Sequence, residues 1–295
     1  MTQLTFSELD WRGLSPKLWK GFAPPSGGQF HSTASGNPAM GFFDDFIGYT
    51  GGVNLDGTTD VGVPPYYVLS TTGTATVLPV ATTLDTSTAA QKLATHLGAV
   101  RLLVSSDNDE AALAYGGTAS EAMFKLDPAY GFGDLVFECR VLDNILTAAD
   151  LGWFVGLIEG GGQAAAQCFD VNQDPAGTFD QLGFIKLMAD STGLDTYCNT
   201  QAGASNKGTV DVHTLVASQY VKLGFKWESA SHKVKFFVDG VEKTAWEING
   251  KTVTAGTFPD DTFMTPIICV GTDQATDMTV DMDWWACAQY LHPVV

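Results

Sequence analysis

Asp281 and Asp283, at alternate positions of a strand-like run, are the residues whose spacing points most directly to chemistry. Cleaving a glycosidic bond takes two carboxyl groups about 5 to 9.5 Å apart, and alternate residues of one strand share a face. Jelly-roll enzymes that act on polysaccharides carry the pair within a Glu-x-Asp-x-Glu strand. Here no Glu follows, and Trp285 takes the next same-face position, so the two aspartates read as an acidic strand edge that is solvated or faces a rim. The five histidines, His31, His96, His213, His232 and His292, stand apart in polar or loop contexts, and no Gly-x-Ser-x-Gly elbow is present. The expectation is a protein that is not an enzyme, with no catalytic residue.

Metal chemistry has one candidate. In FDVNQDPAGTFD, Asp170, Asn172, Asp174 and Asp180 offer hard oxygen ligands at alternating positions that suit Ca²⁺. Against it, Pro175 stands where a calcium loop prefers Gly, no terminal bidentate Glu follows, and Asp/Asn/Gly clusters are ordinary turn formers. The expectation is no cofactor and no metal, with calcium at these four residues as the alternative. Gly160-Gly161-Gly162 lacks phosphate-loop spacing and reads as a flexible loop. The five cysteines, Cys139, Cys168, Cys198, Cys269 and Cys287, are irregularly spaced with no CxxC, which argues against both a disulfide framework and a zinc site. Cys139 and Cys287 lie inside strand-like runs and read as small buried groups.

The elements that would position these residues are strands. In Leu135–Leu142, Leu135, Phe137, Cys139 and Val141 alternate with Glu138 and Arg140, the period of a half-buried strand. Trp153–Ile158 is apolar on both faces and predicts a central, covered strand. Tyr220–Trp227 places Val221, Leu223, Phe225 and Trp227 inward and Lys222 and Lys226 outward. Val234–Val238, Asp239-Gly240 and the run from Val241 predict a hairpin with a type I′ turn. The final strand, Met278–Tyr290, predicts one face made of Met278, Val280, Met282, Trp284, Ala286, Ala288 and Tyr290. Only Ser87–Leu97, stopped by Gly98, has a helical pattern. Many short strands and almost no helix predict an all-β, two-sheet antiparallel jelly-roll sandwich.

Residues 1–40 differ from the body, which spans 41–295. Phe6, Trp11, Leu14, Leu18, Trp19 and Phe22 are scattered among Gly, Pro and Ser without a period, and Pro24-Pro25 forbids a helix. This is an extended N-terminal arm. Either it folds back on its own body, or Phe6, Trp11, Leu14, Trp19 and Phe22 anchor it in a neighbouring subunit. The 45% hydrophobic content supports a sizeable core. The net charge of -18 repels a phosphate backbone and argues against nucleic acid as a partner. No apolar run approaches the ~18 residues of a membrane span, and Met1–Asp10 shows no basic or apolar leader pattern. The expectation is a soluble protein made in the cytoplasm, without a membrane partner.

Several segments in order resemble tailed-bacteriophage virion proteins with a concanavalin A-like (laminin G-like) jelly roll. They are FFDDF at Phe42–Phe46, VRLLVSSDNDEAAL at Val100–Leu113, FECRVLD at Phe137–Asp143, GWFVGLIE at Gly152–Glu159, YVKLGFKWE at Tyr220–Glu228 and KFFVDGVE at Lys235–Glu242. The resemblance covers Gly41 to the C-terminus and leaves out the arm. It implies a capsid decoration (cement) or head-spike protein on the exterior of the virion. Its partners would be the major capsid protein and further copies of itself, as a dimer or trimer. The alternative is a lectin-like module that binds glycan for host attachment, with Trp284 or Trp285 stacking on sugar faces.

Overall fold

The computed structural model describes residues 14–20, 22–26, 29–32, 39–44, 67–71, 75–79, 99–105, 109–115, 122–127, 130–144, 146, 151–162, 179–200, 207–247, 258–259, 262–273 and 277–291. Seventeen strands make up nearly all of this. They are β1 (Phe22–Ser26), β2 (Gln29–Ser32), β3 (Ala39–Asp44), β4 (Tyr67–Thr71), β5 (Thr76–Pro79), β6 (Val100–Val104), β7 (Glu110–Tyr115), β8 (Phe132–Asp143) and β9 (Leu151–Glu159), then β10 (Gln181–Lys186), β11 (Gly193–Asn199), β12 (Lys207–Thr214), β13 (Tyr220–Glu228), β14 (Lys233–Val238), β15 (Val241–Glu247), β16 (Met264–Thr272) and β17 (Met278–Leu291).

They form two antiparallel sheets plus a β1-β2 hairpin. One sheet runs β12-β11-β10-β9-β16-β7-β4; the other runs β15-β14-β13-β8-β17-β6-β5, with β3 also paired to β17. Each sheet turns one face inward because alternate residues are apolar. Trp153, Val155 and Leu157 of β9 and Leu223, Phe225 and Trp227 of β13 meet in one buried cluster. The molecule is thus an all-β jelly-roll sandwich of concanavalin A-like type. The β14-β15 turn takes the backbone expected of Asp-Gly, with Asp239 at φ 50° and Gly240 at φ 74°. Ser87–Leu97 lies outside the described residues.

β17 departs from simple alternation. Its register against β8 shifts between Met282 and Trp284, and such a bulge moves every later side chain to the opposite face. Met278, Val280 and Met282 face the core, but so do Trp285 and Cys287. Trp284, Ala286 and Ala288 instead join a second cluster on the outer face. The single predicted face of β17 is therefore two half-faces.

The outer half-face is covered by the N-terminal segment. Leu14, Leu18, Trp19 and Phe22 are buried there against Val136, Phe237, Trp284, Ala286 and Ala288. Leu14, Trp19 and Phe22 are thus used up within their own subunit, which corrects their assignment as anchors in a partner; Phe6 and Trp11 lie outside the described residues. The reason is local. Gly224 has no side chain where a Cβ would stand 2.4 Å from Leu18 Cδ2. Below it the buried Glu138 carboxylate accepts the Ser15 backbone N–H at 2.9 Å and the Trp19 Nε1–H at 2.8 Å. Burial raises the Glu138 pKa, while these bonds oppose the rise.

Cys139, Cys198 and Cys287 are buried, and Cys139 and Cys287 are free thiols. Cys269 is disulfide-bonded, a bridge that the irregular spacing argued against.

Candidate functional site

The aspartates considered first are structural. Asp281 accepts two bonds from Arg101, at 2.7 and 2.8 Å, and is 3% exposed, so it is not solvated. Asp283 pairs with Arg140 at 2.6 Å, and the Arg140 guanidinium lies 4.4 Å from the centre of the Tyr220 ring. The bulge places Trp284, not Trp285, on their side of the sheet. Neither tryptophan is open to a sugar: Trp285 lies in the core and Trp284 under the N-terminal segment. Of the four calcium candidates, Asp170, Asn172 and Asp174 lie outside the described residues. Asp180 is buried and accepts the Thr262 hydroxyl at 3.3 Å. Among the described residues no group of three metal-ligating side chains comes together.

A different region combines exposure with polar groups. At one end of the sandwich the segment holding Phe124 bridges to Met264 at the start of β16. Lys125 follows, clamped through its backbone: Gln289 Oε1 accepts the Lys125 N–H at 3.0 Å, and Gln289 Nε2 donates to the Lys125 carbonyl at 2.5 Å. The Lys125 ammonium lies 4.3 Å from the Tyr130 ring centre and 5.5 Å from that of Phe263. It is 4.0 Å from Asp127. Tyr130 is 67% exposed and Phe263 is 45% exposed, while Phe132 meets Phe263 edge to face. The result is an aromatic rim with a cation held between two rings.

From this rim the outer face of the seven-stranded sheet runs inward. The Phe263 carbonyl accepts the Gly160 N–H at 2.8 Å. The triglycine segment is a packed turn and not a loose loop: Gly161 has φ 108°, and a Cβ on Gly162 would stand 2.8 Å from Ile158 and 3.0 Å from Phe179. Two residue pairs further in, Thr265, Ile158, Gln181 and Asn199 form a row across β16, β9, β10 and β11. Beyond them lie Phe154, Tyr197 and Ile267, buried in an outer cluster. Glu110, paired with Gly271 on the same sheet, is also buried, and desolvation pushes its carboxyl up to about 7.

Sequence reasoning missed this site. Tyr130 and Phe263 sit in short segments with no period, and Lys125, Tyr130 and Phe263 meet only because the chain bridges the two sheets. The one legible signal was the pair of aromatics beside turn residues, at Tyr130-Gly131 and Phe263.

Compared with protein-family models and with curated proteins, the sequence gives no match. Solved structures do match. A protein of unknown function from Shewanella oneidensis MR-1 aligns over 99% of this chain and 96% of its own, at 13% identity and TM-score 0.52. An endo-1,3-beta-glucanase from Streptomyces sioyaensis aligns over 93% of this chain and 98% of its own, at 14% identity and TM-score 0.48. The Emp46p carbohydrate recognition domain aligns over 75% of this chain and 87% of its own, at 9% identity and TM-score 0.45. These likenesses concern the fold, and they supply no link to bacteriophage proteins. They also correct the expectation of a protein without enzyme activity, because glucanases and a glucuronan lyase are among the structures that share the architecture.

Proposed function

We propose that this protein is a carbohydrate-binding jelly roll whose polysaccharide ligand sits at the Tyr130–Lys125–Phe263 rim. The observation that carries the reading is that the two aromatic side chains exposed among the described residues have ring centres 4.3 and 5.5 Å from one lysine ammonium. A pyranose has an apolar C–H face, so it is matched by the two open rings, which the buried Lys125 ammonium supports from beneath. The test is calorimetric titration of the full chain with soluble neutral and uronic-acid polysaccharides, with assays for reducing ends and for unsaturated products run on the same mixtures. Saturable binding with Kd on the order of 10 µM to 1 mM, weakened by Tyr130→Ala and by Phe263→Ala, supports the reading. No heat from any polysaccharide, or binding indifferent to both substitutions, overturns it.

A second reading, attachment to the exterior of a virion, draws on the ordered segments that resemble phage head proteins. Those segments form β3, β6, β7, β8, β9, β13 and β14, strands that also build the common fold. In this reading the acidic surface faces outward from packed DNA, and the partners are the major capsid protein and further copies of the chain. Cryo-microscopy of the parent particle tests it: density for the chain on the head supports it, and a head without such density removes it.

A further inference from the structure

The row behind the rim contains an amide with nothing to bond. Gln181 is 1% exposed, yet both its Nε2 and its Oε1 lack a hydrogen-bond partner. Leaving a buried donor and acceptor empty is costly, and native proteins rarely do so without a ligand, a water or a functional reason. The position is defined. Gln181 opens β10, with Asn199 beside it on β11 and Ile158 on β9. The alternation that sends Leu182 and Phe184 into the core turns Gln181 to the outer face, the face of Ile158 and Ile185. Asn199 Nδ2 donates to the Phe179 carbonyl at 3.2 Å, and Ile158 is apolar. The preceding residue, Asp180, holds the Thr262 hydroxyl, which ties this strand end to the Phe263 rim.

A group that satisfies both ends of the amide must itself donate and accept. Adjacent hydroxyls on a sugar ring do so: one accepts from Nε2–H while its neighbour donates to Oε1. We propose that Gln181 is the polar anchor of the glycan site, taking two vicinal hydroxyls of one pyranose whose chain continues over Phe263 and Tyr130. This inference rests on the carbohydrate-binding reading and deepens it by naming the diol as the recognised group. Because Gln181 is buried, the sugar reaches it only as that end of the face opens, so association is slower than for a preformed surface site.

The test uses Gln181→Met, which keeps the length of the side chain and removes both polar ends. It is titrated beside the wild type with whichever soluble polysaccharide the wild type binds. The expected result is a Kd raised roughly 10- to 100-fold, with a melting temperature equal to or above that of the wild type, since the empty amide is gone. Should that variant fold poorly, Gln181→Asn retracts the amide by one methylene and is expected to weaken binding in the same direction. A wild type that binds glycan while a folded Gln181→Met variant binds it within twofold overturns the anchor and leaves the rim reading intact. A wild type that binds no glycan overturns both.

Discussion

The two outer faces of the sandwich handle their buried polar groups differently. On the eight-stranded sheet the buried carboxylate of Glu138 accepts two N–H groups from the N-terminal segment, Arg101 grips Asp281 with two bonds, and Arg140 binds Asp283. On the seven-stranded sheet Gln181 has no partner, and Glu110 is pushed toward neutrality by burial. The first arrangement invests its polar groups in holding the chain to itself. The second leaves polar capacity in place beside exposed aromatics, a cost in stability that binding can offset.

Trp19→Ala breaks the first face most severely. It opens a cavity in the outer cluster and removes one of the donors to Glu138, so a loss of about 3–5 kcal/mol is expected in urea unfolding. Sugar binding at the rim is unchanged wherever the variant is still folded.

Glu110→Gln sharpens the contrast through pH. The folded carboxyl titrates near 7 against an ordinary 4.5, so its protonated form is favoured in the native state. Wild-type stability from this group is fully present below about pH 4.5 and is lost as pH rises through 7. Gln mimics the protonated form. The variant is expected to match the wild type at pH 4 and to exceed it by on the order of 2 kcal/mol at pH 8, as read from unfolding curves at the two pH values.

Tyr130→Ala is expected to raise the Kd for the bound polysaccharide about 10-fold, roughly 1.4 kcal/mol, with little change in melting temperature, because the ring is 67% exposed. Asp283→Asn should have the smallest effect. Its pair with Arg140 is partly open to solvent, so a cost of about 0.5–1 kcal/mol is expected by the same unfolding assay, with no change in binding.

Strand identity was legible because burial imposes a period of two: Leu135–Leu142, Trp153–Ile158 and Tyr220–Trp227 fall within β8, β9 and β13. The Asp239-Gly240 turn was legible from its demand for positive φ. The bulge in β17 was not. Trp284-Trp285 and Ala286-Cys287-Ala288 are apolar on both faces, so no change of phase shows in the residue types. The double coverage itself was the clue that the N-terminal segment packs there. Burial of Leu14, Trp19 and Phe22 depends on Gly224 and Glu138, more than a hundred positions away in the chain, and no local pattern carries that information. The candidate site was hidden for a related reason. Gln181 looks like any polar residue at a strand start until its row on the outer face is known.

The most direct test of a division between a self-holding face and a binding face is an NMR titration of the full chain with the soluble oligosaccharide that binds best. Expected are perturbations centred on Lys125, Tyr130, Phe263 and Gln181, with Trp19, Trp284 and Phe237 silent. Perturbations centred on Trp19, Trp284 and Phe237, with the rim unmoved, would contradict the division.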